Sequence, residues 1–452
     1  MERAINTEKD ILSRTNISDL SGKPDEEVKV QGWVQLVRDQ KRMTFLMLRD
    51  ETGIVQVTID NELNKRLAEI ALGLSLESAV TVEGRVIKNP IVRAGGIEIL
   101  PETIKIENLS EPTLPISVKG EPSALDNRQD WRFLDLRRPE NRLIIEIQTA
   151  AEYAMREFWR KEHFLEIHTP KLMETPSESG AELFEIKDYF GKKAYLAQSP
   201  QFYKQYAIAS GLGRVFEIGP VFRANPSFTS RHDTEFTSVD VEMSWIISHN
   251  DVMAFEERWL QYVLKELANQ YNPQIRKLYN TEIIVPSLPF PRIPMDEAQK
   301  ILREEFRYVA PLDTKKGDLD PQGEKLITQF VKNKFKHEFV FVTDWSKEIR
   351  PFYHMRYDDK PGLTKSFDLL WKGLEITTGA QREHRYEILR NQAKEKGLKL
   401  EPLKFYLDIF RYGMPPHGGF GFGLTRMIMQ SLNLKNVREA TFLYRGPNRL
   451  SP

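Results

Sequence analysis

The hydrophobic period of this chain changes once along its length, and that change limits what it can fold into. From about residue 28 to 107, apolar residues come in short alternating runs. These are Val28-Lys29-Val30-Gln31, Thr44 to Arg49, Ile54 to Ile59, Ala79 to Lys88 and Ile97 to Leu100. Asp50-Glu51-Thr52-Gly53, Asn89-Pro90 and Gly95-Gly96 punctuate them as turns. A helical stretch, Glu62 to Leu72, follows the third run. Five short strands with one helix midway predict an OB-like barrel, and an SH3-like barrel or small sandwich fits the pattern nearly as well.

From Pro139 the period becomes three to four. Ile144, Ile147, Ala151, Met155 and Phe158 mark one face of a helix ending near His163, with proline in its favoured first turn. Strands are expected at Val215 to Phe222, Thr237 to Ile246, Ser366 to Thr378 and Gly418 to Gly423. Helices are expected at Asn250 to Asn269, Met295 to Glu305 and Gln322 to Lys336. This mixture predicts an α+β unit on an antiparallel sheet flanked by helices. The 452 residues thus divide into a barrel over 1–110, a linker over 111–138 carrying Pro112, Pro115 and Pro122, and a larger unit over 139–452. The larger unit has a subdomain inserted at about 285–345.

Lys+Arg and Asp+Glu are both 65, so any nucleic-acid site must be a local patch rather than a global basic field. With no cysteine, disulfides, thiolate metal sites and cysteine nucleophiles are excluded. No apolar signal segment opens the chain and no run is long enough to span a bilayer, so a soluble cytoplasmic protein is expected.

Three separated segments carry chemistry. In the first, Gly219-Pro220-Val221-Phe222-Arg223-Ala224 leads through a polar loop with Arg231-His232 to Thr234-Glu235-Phe236. A strand delivers an arginine, suited to bidentate phosphate contact, and the return strand begins with an aromatic that can stack on a base. An edge hairpin with a solvated arginine explains the same residues. The second is Gly418-Gly419-Phe420-Gly421-Phe422-Gly423-Leu424-Thr425-Arg426, where alternate glycines mark close approach of a ligand or backbone and Arg426 opens a helix. The third, Phe367-Asp368-Leu369-Leu370-Trp371-Lys372-Gly373-Leu374-Glu375, offers two carboxylates, and Mg²⁺ takes one or two with substrate phosphates. Their odd spacing puts them on opposite faces of a regular strand, so sharing a metal requires a kink, expected at Gly373. One surface and one salt-bridged carboxylate is the plainer account of that segment.

Together the three segments resemble the signature motifs of class II aminoacyl-tRNA synthetases. Closer similarity is to the aspartyl branch of archaeal and eukaryotic type. It is carried by Ser199-Pro200-Gln201-Phe202-Tyr203-Lys204-Gln205, Ser177-Glu178-Ser179-Gly180, Gly379-Ala380-Gln381-Arg382 and Tyr412-Gly413-Met414-Pro415-Pro416-His417. The likeness runs nearly end to end. It implies an OB-fold anticodon-binding barrel followed by a class II catalytic domain. The reaction it implies is ATP-dependent activation of L-aspartate and transfer to tRNA(Asp), with tRNA(Asn) a second acceptor in some members of the branch.

The resemblance also implies roles. Arg223 would contact the α-phosphate of ATP and Arg426 the γ-phosphate, Phe236 would stack on adenine, and Arg231 and His232 would hold a bent triphosphate. Asp368 and Glu375 match the Mg²⁺ ligands. Lys204 and Arg382 would pair with the substrate's side-chain carboxylate, and two buried cations without an anion would favour the right acid. Gln201, Asp240 and Glu178 match groups around its α-ammonium. On the barrel, Phe45 would stack an anticodon base and Gln56 would hydrogen-bond one, with Arg38, Lys41, Arg42, Arg85 and Lys88 near phosphates. The helix from Pro139 matches the dimerisation element, which implies a homodimer. Departures are Asn225 where the motif has Glu, Thr425 where it has an acid, and the tail Leu443-Tyr444-Arg445-Gly446. They keep a divergent paralogue with a regulatory RNA-binding role open beside the ligase. An asparagine-specific ligase is the other alternative, and Lys204 argues against it.

Overall fold

The computed structural model describes residues 14–175, 183–226 and 229–452. The chain forms two compact units, Met1–Ser117 and Val118–Pro452.

In the first unit, β1 (Glu27–Gln40), β2 (Met43–Arg49), β3 (Ile54–Asp60), β4 (Ala79–Lys88) and β5 (Ile97–Asn108) close a barrel in the order β1-β2-β3-β5-β4. Helix α1 (Lys65–Leu72) joins β3 to β4. Closure decides between the barrel and the sandwich. The alternating residues Val30, Val34, Leu46, Leu48, Val55, Val57 and Val82 fill the interior and are fully buried. β1 extends well past the four residues expected, because its polar second half pairs with β2 without an inward apolar run. A bulge at Glu83/Gly84 lets β4 bend, and a Cβ at Gly84 would lie 2.2 Å from the Leu100 carbonyl oxygen.

The second unit is built on an eight-stranded sheet. Its members are β6 (Leu165–Glu166), β10 (Arg214–Phe222), β11 (Glu235–Ser244), β12 (Arg292–Pro294), β13 (Phe339–Thr343), β14 (Ser366–Trp371), β15 (Leu374–Gln381) and β16 (His417–Gly423). A separate small sheet holds β7 (Leu172–Met173), β8 (Glu185–Tyr189) and β9 (Lys192–Leu196). The main order is β12-β13-β14-β15-β16-β11-β10-β6. It is antiparallel through the middle, as expected, but its edge pairs β12–β13 and β10–β6 are parallel.

One face of this sheet is covered. Val239, Val241, Phe367, Leu369, Phe420 and Phe422 pack against α2 (Pro139–Lys161) and α4 (His249–Tyr279), with Trp159 and Trp259 stacked at 5.2 Å between them. α2 buries Ile144, Ile147, Ala151 and Met155 as its period requires, and Trp159 rather than Phe158 reaches the core. α4 runs ten residues beyond the expected end at Asn269. Pro273 costs it one backbone hydrogen bond, but fully buried Ile275 and the Tyr279 hydroxyl, which donates to the Glu140 carbonyl at 2.6 Å, anchor the continuation.

The expected strand Ser366 to Thr378 is a hairpin. Lys372 (φ 49°) and Gly373 (φ 84°) form its two-residue turn, the positive-φ pair that a type I′ hairpin needs. Leu369 pairs with Thr377 and Leu370 with Glu375, so Ile376 is an extra, bulged residue. The opposite sheet face is open and forms the floor of a cleft.

Candidate active site

Period two sets that floor. On β11, Ser238, Asp240 and Glu242 point away from the core, opposite Gly423, Gly421 and Gly419 of β16. A Cβ at Gly419 would lie 2.0 Å from the Val241 carbonyl oxygen, so glycine is needed there to seat the strand. At Gly421 a Cβ would meet only the Asp240 carboxyl among the described residues, its Oδ1 at 3.4 Å, so the space above it belongs to the cleft.

The cleft has a volume of about 390 Å³. Arg223, Arg231, His232, Phe236, Glu375, Arg426, Gln201, Lys204, Asp240 and Arg382 all line it. Glu178 lies outside the described residues. Lys204, Arg223, Arg231, Arg350, Arg382 and Arg426 face only Asp233, Asp240 and Glu375 among its lining residues. Three more carboxylates, Glu242, Glu324 and Asp368, pair with Lys204, Arg382, Arg231 and Arg350 from just outside the lining, so the cations are arranged within a largely balanced set of charges.

At one end, Arg223 leaves β10. Its Nε donates to the Gln198 carbonyl at 3.3 Å, and its guanidinium lies 5.4 Å from the Phe236 ring centroid. Arg426, in the first turn of α7 (Leu424–Leu432), donates from Nη1 to the Glu375 carbonyl at 2.8 Å. Arg231 is not free: its Nη1 donates at 2.8 Å to Glu324 on α6 (Pro321–Phe335). Burial pushes the Glu324 carboxyl up to about 7. His232 Nδ1 lies 2.5 Å from Thr229 Oγ1, and burial with the Arg426 and Arg231 charges pulls the imidazole down to about 4, so it is neutral at pH 7.

At the other end, Lys204 comes from α3 (Gln201–Ala209), whose first residue, Gln201, donates to Gln205 at 2.9 Å. The expectation of two buried cations without an anion is wrong. Lys204 Nζ lies 3.0 Å from Asp240 Oδ1 and 3.3 Å from Glu242 Oε2. Arg382 Nε donates to Glu242 Oε1 at 3.0 Å. Glu242 is fully buried, and although burial alone would raise its carboxyl, the Arg382 and Lys204 charges hold it lowered. The buried pair is thus already compensated.

The two carboxylates of the third segment do share a face, and the reversal at Lys372-Gly373 is the reason: it pairs Glu375 with Leu370, which lies two residues from Asp368 on the same face, as the break expected at Gly373 required. Glu375 accepts from Thr378 Oγ1 at 3.1 Å, and Asp368 sits opposite Thr378 in register. Glu375 lines the cleft, while Asp368 lies beneath it, 2.7 Å from Arg350 Nη2. Burial and the Glu375 charge push Asp368 up to about 6 against the pull of Arg350, and its Oδ1 is buried without a partner. An orphaned carboxylate oxygen beside a second carboxylate suits a divalent cation. Among the described residues no set of three or more His, Cys, Asp or Glu converges on a metal position, so substrate oxygens would have to complete the shell.

Five cleft or near-cleft residues were not singled out from sequence: Asp233, Glu242, Glu324, Arg350 and His354. Glu242 had a signal, two residues beyond Asp240 on the same strand face. The others lie in loops or on a distant helix, where no period places them.

On the barrel, Phe45 and Gln56 stand on the outer face. Phe45 lies between Arg38 and Thr58 in register and is half-buried, so it is not barrel core. Gln56 donates to Thr58 Oγ1 at 3.0 Å and to Glu98 Oε2 at 3.2 Å, and Arg38 is exposed.

Two family models match the chain: tRNA synthetases class II (D, K and N) over residues 124–445, and the OB-fold nucleic acid binding domain over 28–107. The chain is 42% identical to the aspartate–tRNA(Asp/Asn) ligase of Aeropyrum pernix, covering 94% of this chain and 95% of that one. It is 43% identical to the aspartate–tRNA(Asp) ligase of Thermococcus kodakarensis, covering 94% and 96%. Its fold is similar to a crystal structure of asparaginyl-tRNA synthetase from Pyrococcus horikoshii complexed with asparaginyl-adenylate, with TM-score 0.88, 32% identity and 97% and 99% of the two chains covered. It is also similar to aspartyl tRNA synthetase from Entamoeba histolytica, with TM-score 0.86, 32% identity and coverage of 100% and 95%.

Proposed function

This chain belongs to the class II tRNA synthetases of the aspartate, lysine and asparagine group, and from that premise we infer that its cleft activates L-aspartate with ATP and passes it to the 3′ end of tRNA(Asp). The observation that carries the reading is the split of cations between two ends of one cleft. Arg223, Arg231 and Arg426 gather with Phe236 at one end, and Lys204 with Arg382 at the other.

ATP lies with adenine on Phe236 and its phosphates on Arg223 and Arg426. Lys204 and Arg382 receive the side-chain carboxylate, and Gln201 and Asp240, with Glu178, receive the α-ammonium. The aspartate α-carboxylate attacks the α-phosphorus in line and pyrophosphate leaves, giving the aspartyl-adenylate. The terminal adenosine hydroxyl of tRNA then attacks the mixed anhydride. No protein nucleophile is needed, because positioning and charge stabilisation supply the rate. Glu375 and Asp368 would hold Mg²⁺, which when bound neutralises charge on the triphosphate.

Phe45, Gln56 and Arg38 read the anticodon on the barrel. The chain works in the cytoplasm as a homodimer through α2, and a monomeric mass in light scattering at micromolar concentration would refute the dimer. The acceptor set includes tRNA(Asn) if the charged-tRNA assay with purified tRNA(Asn) gives product. The decisive test is ATP–pyrophosphate exchange without tRNA, with aspartate and asparagine in parallel. Exchange with aspartate alone is expected; exchange with asparagine alone, or with neither, would overturn the reading.

A further inference from the structure

His354 is a fully enclosed imidazole at the amino-acid end of the cleft, with one nitrogen committed and the other unused. Arg382 Nη1 lies 3.0 Å from its Nε2. A guanidinium can only donate, so Nε2 must accept. The cations around the ring, Arg382, Arg350, Lys204 and Lys396, together with burial, keep it neutral. A neutral ring accepting at Nε2 carries its proton on Nδ1, and that Nδ1–H has no acceptor among the described residues.

His417 shows how this fold treats the same situation elsewhere. Gln205 Nε2 contacts its Nε2 at 2.8 Å, and its Nδ1 meets the Pro415 carbonyl at 2.9 Å, so both nitrogens are used. Of the described histidines whose Nδ1 is buried without a partner, His249, His354 and His384, only His354 lines the cleft. A buried donor left unpaired is costly unless a ligand completes it.

We propose that His354 is a specificity residue: its Nδ1–H donates to the side-chain carboxylate of the amino-acid substrate, and Arg382, by occupying Nε2, fixes the ring as a donor. This rests on the reading of the cleft as aspartate-activating. The consequence is a filter against the amide. A carboxylate offers only acceptors, whereas an asparagine side chain also presents an N–H₂. A histidine free to change tautomer would accommodate that N–H₂ by accepting, and a ring locked by Arg382 cannot. The filter thus comes from a neutral group, which explains how discrimination survives with Glu242 already compensating Lys204 and Arg382.

The test is ATP–pyrophosphate exchange on the full chain with aspartate and with asparagine, comparing wild type, His354→Phe and His354→Asn. His354→Phe removes the donor, and the KM for aspartate is expected to rise about tenfold to a hundredfold with the KM for ATP within about twofold, the size of a hydrogen bond to a charged group. His354→Asn supplies an amide that can donate or accept. It is expected to recover much of the aspartate affinity while asparagine exchange rises relative to wild type. An unchanged KM for aspartate in His354→Phe, or a parallel loss for aspartate and ATP in both variants, would overturn the proposal. If wild type itself shows no exchange with aspartate, the reading of the cleft fails and this inference falls with it; if wild type exchanges and only the variants disagree, the inference alone fails.

Discussion

Two buried carboxyls in the larger unit behave oppositely, and their neighbours decide how. Glu242 sits between Lys204 and Arg382 and stays ionised. Glu242→Gln keeps the shape and removes the charge, leaving buried Arg382 without its carboxylate and Lys204 with Asp240 alone. Breaking a buried pair in this way costs about 3–5 kcal/mol, so a clear drop in denaturation midpoint is expected by chemical unfolding. Glu256, on the covered side of the sheet, has no ion pair among the described residues, and both its carboxyl oxygens are buried without a hydrogen-bond partner there. Burial, with the charges of Glu257 and Asp368 adding to it, pushes its carboxyl from 4.5 up to about 8. Between those two values the unfolded chain has released the proton and the folded chain still holds it. Stability therefore falls as pH rises across that window, by up to about 1.4 kcal/mol per unit from this group. Glu256→Gln removes the titration. The variant should gain stability relative to wild type as pH is raised from 5 to 8, in melting curves at each pH, and a gain independent of pH would refute the assignment.

At the scale of elements, what the sequence revealed and what it concealed follow from period. The barrel was legible because inward Val and Leu alternate with outward polar residues on every strand, and α2 because Ile144, Ile147, Ala151 and Met155 recur on one face. That Arg223, Arg231 and Arg426 would line one cleft was legible because motifs bracket them. The bulge at Ile376 was not, since a one-residue insertion changes the face of every residue before it without changing composition. That single residue puts Thr378 rather than Thr377 opposite Asp368 and so within hydrogen-bond reach of Glu375. Nor was the partner of Arg231 legible, because Glu324 lies 93 residues away, on a helix far from that loop in sequence. Phe45 tests a reading that period did support. It belongs to the outward set of β2, between Arg38 and Thr58, and contributes little to the barrel interior. Phe45→Ala should leave tRNA-independent exchange unchanged and raise the KM for tRNA by about fivefold to a hundredfold, the range of one base–aromatic stack. Equal loss in both assays would instead mean that the substitution damages the fold.

For the whole molecule the governing fact is that 65 basic and 65 acidic residues cancel. Such a chain has no long-range field to draw RNA in, so binding must come from contacts made one at a time. The cleft solves this by placement, with six cations along its lining, four of them held by Glu242, Glu324 and Asp368 just outside it. On the barrel, Arg38 and the turn residues Lys41 and Arg42 stand exposed at the end of the β1–β2 hairpin. Each phosphate neutralised releases counterions, and the logarithm of affinity then falls with the logarithm of salt by about 0.7–0.9 per contact. A slope of only a few units is expected for tRNA binding, far shallower than for a basic RNA-binding protein. Arg42→Ala should reduce that slope by about one and weaken all tRNAs alike, because a phosphate contact carries no sequence information. Filter binding across a salt series with cognate and non-cognate tRNA separates the outcomes. A steep slope in wild type would mean a basic surface formed by the chain as a whole, and a selective loss of cognate tRNA in Arg42→Ala would place that side chain on a base.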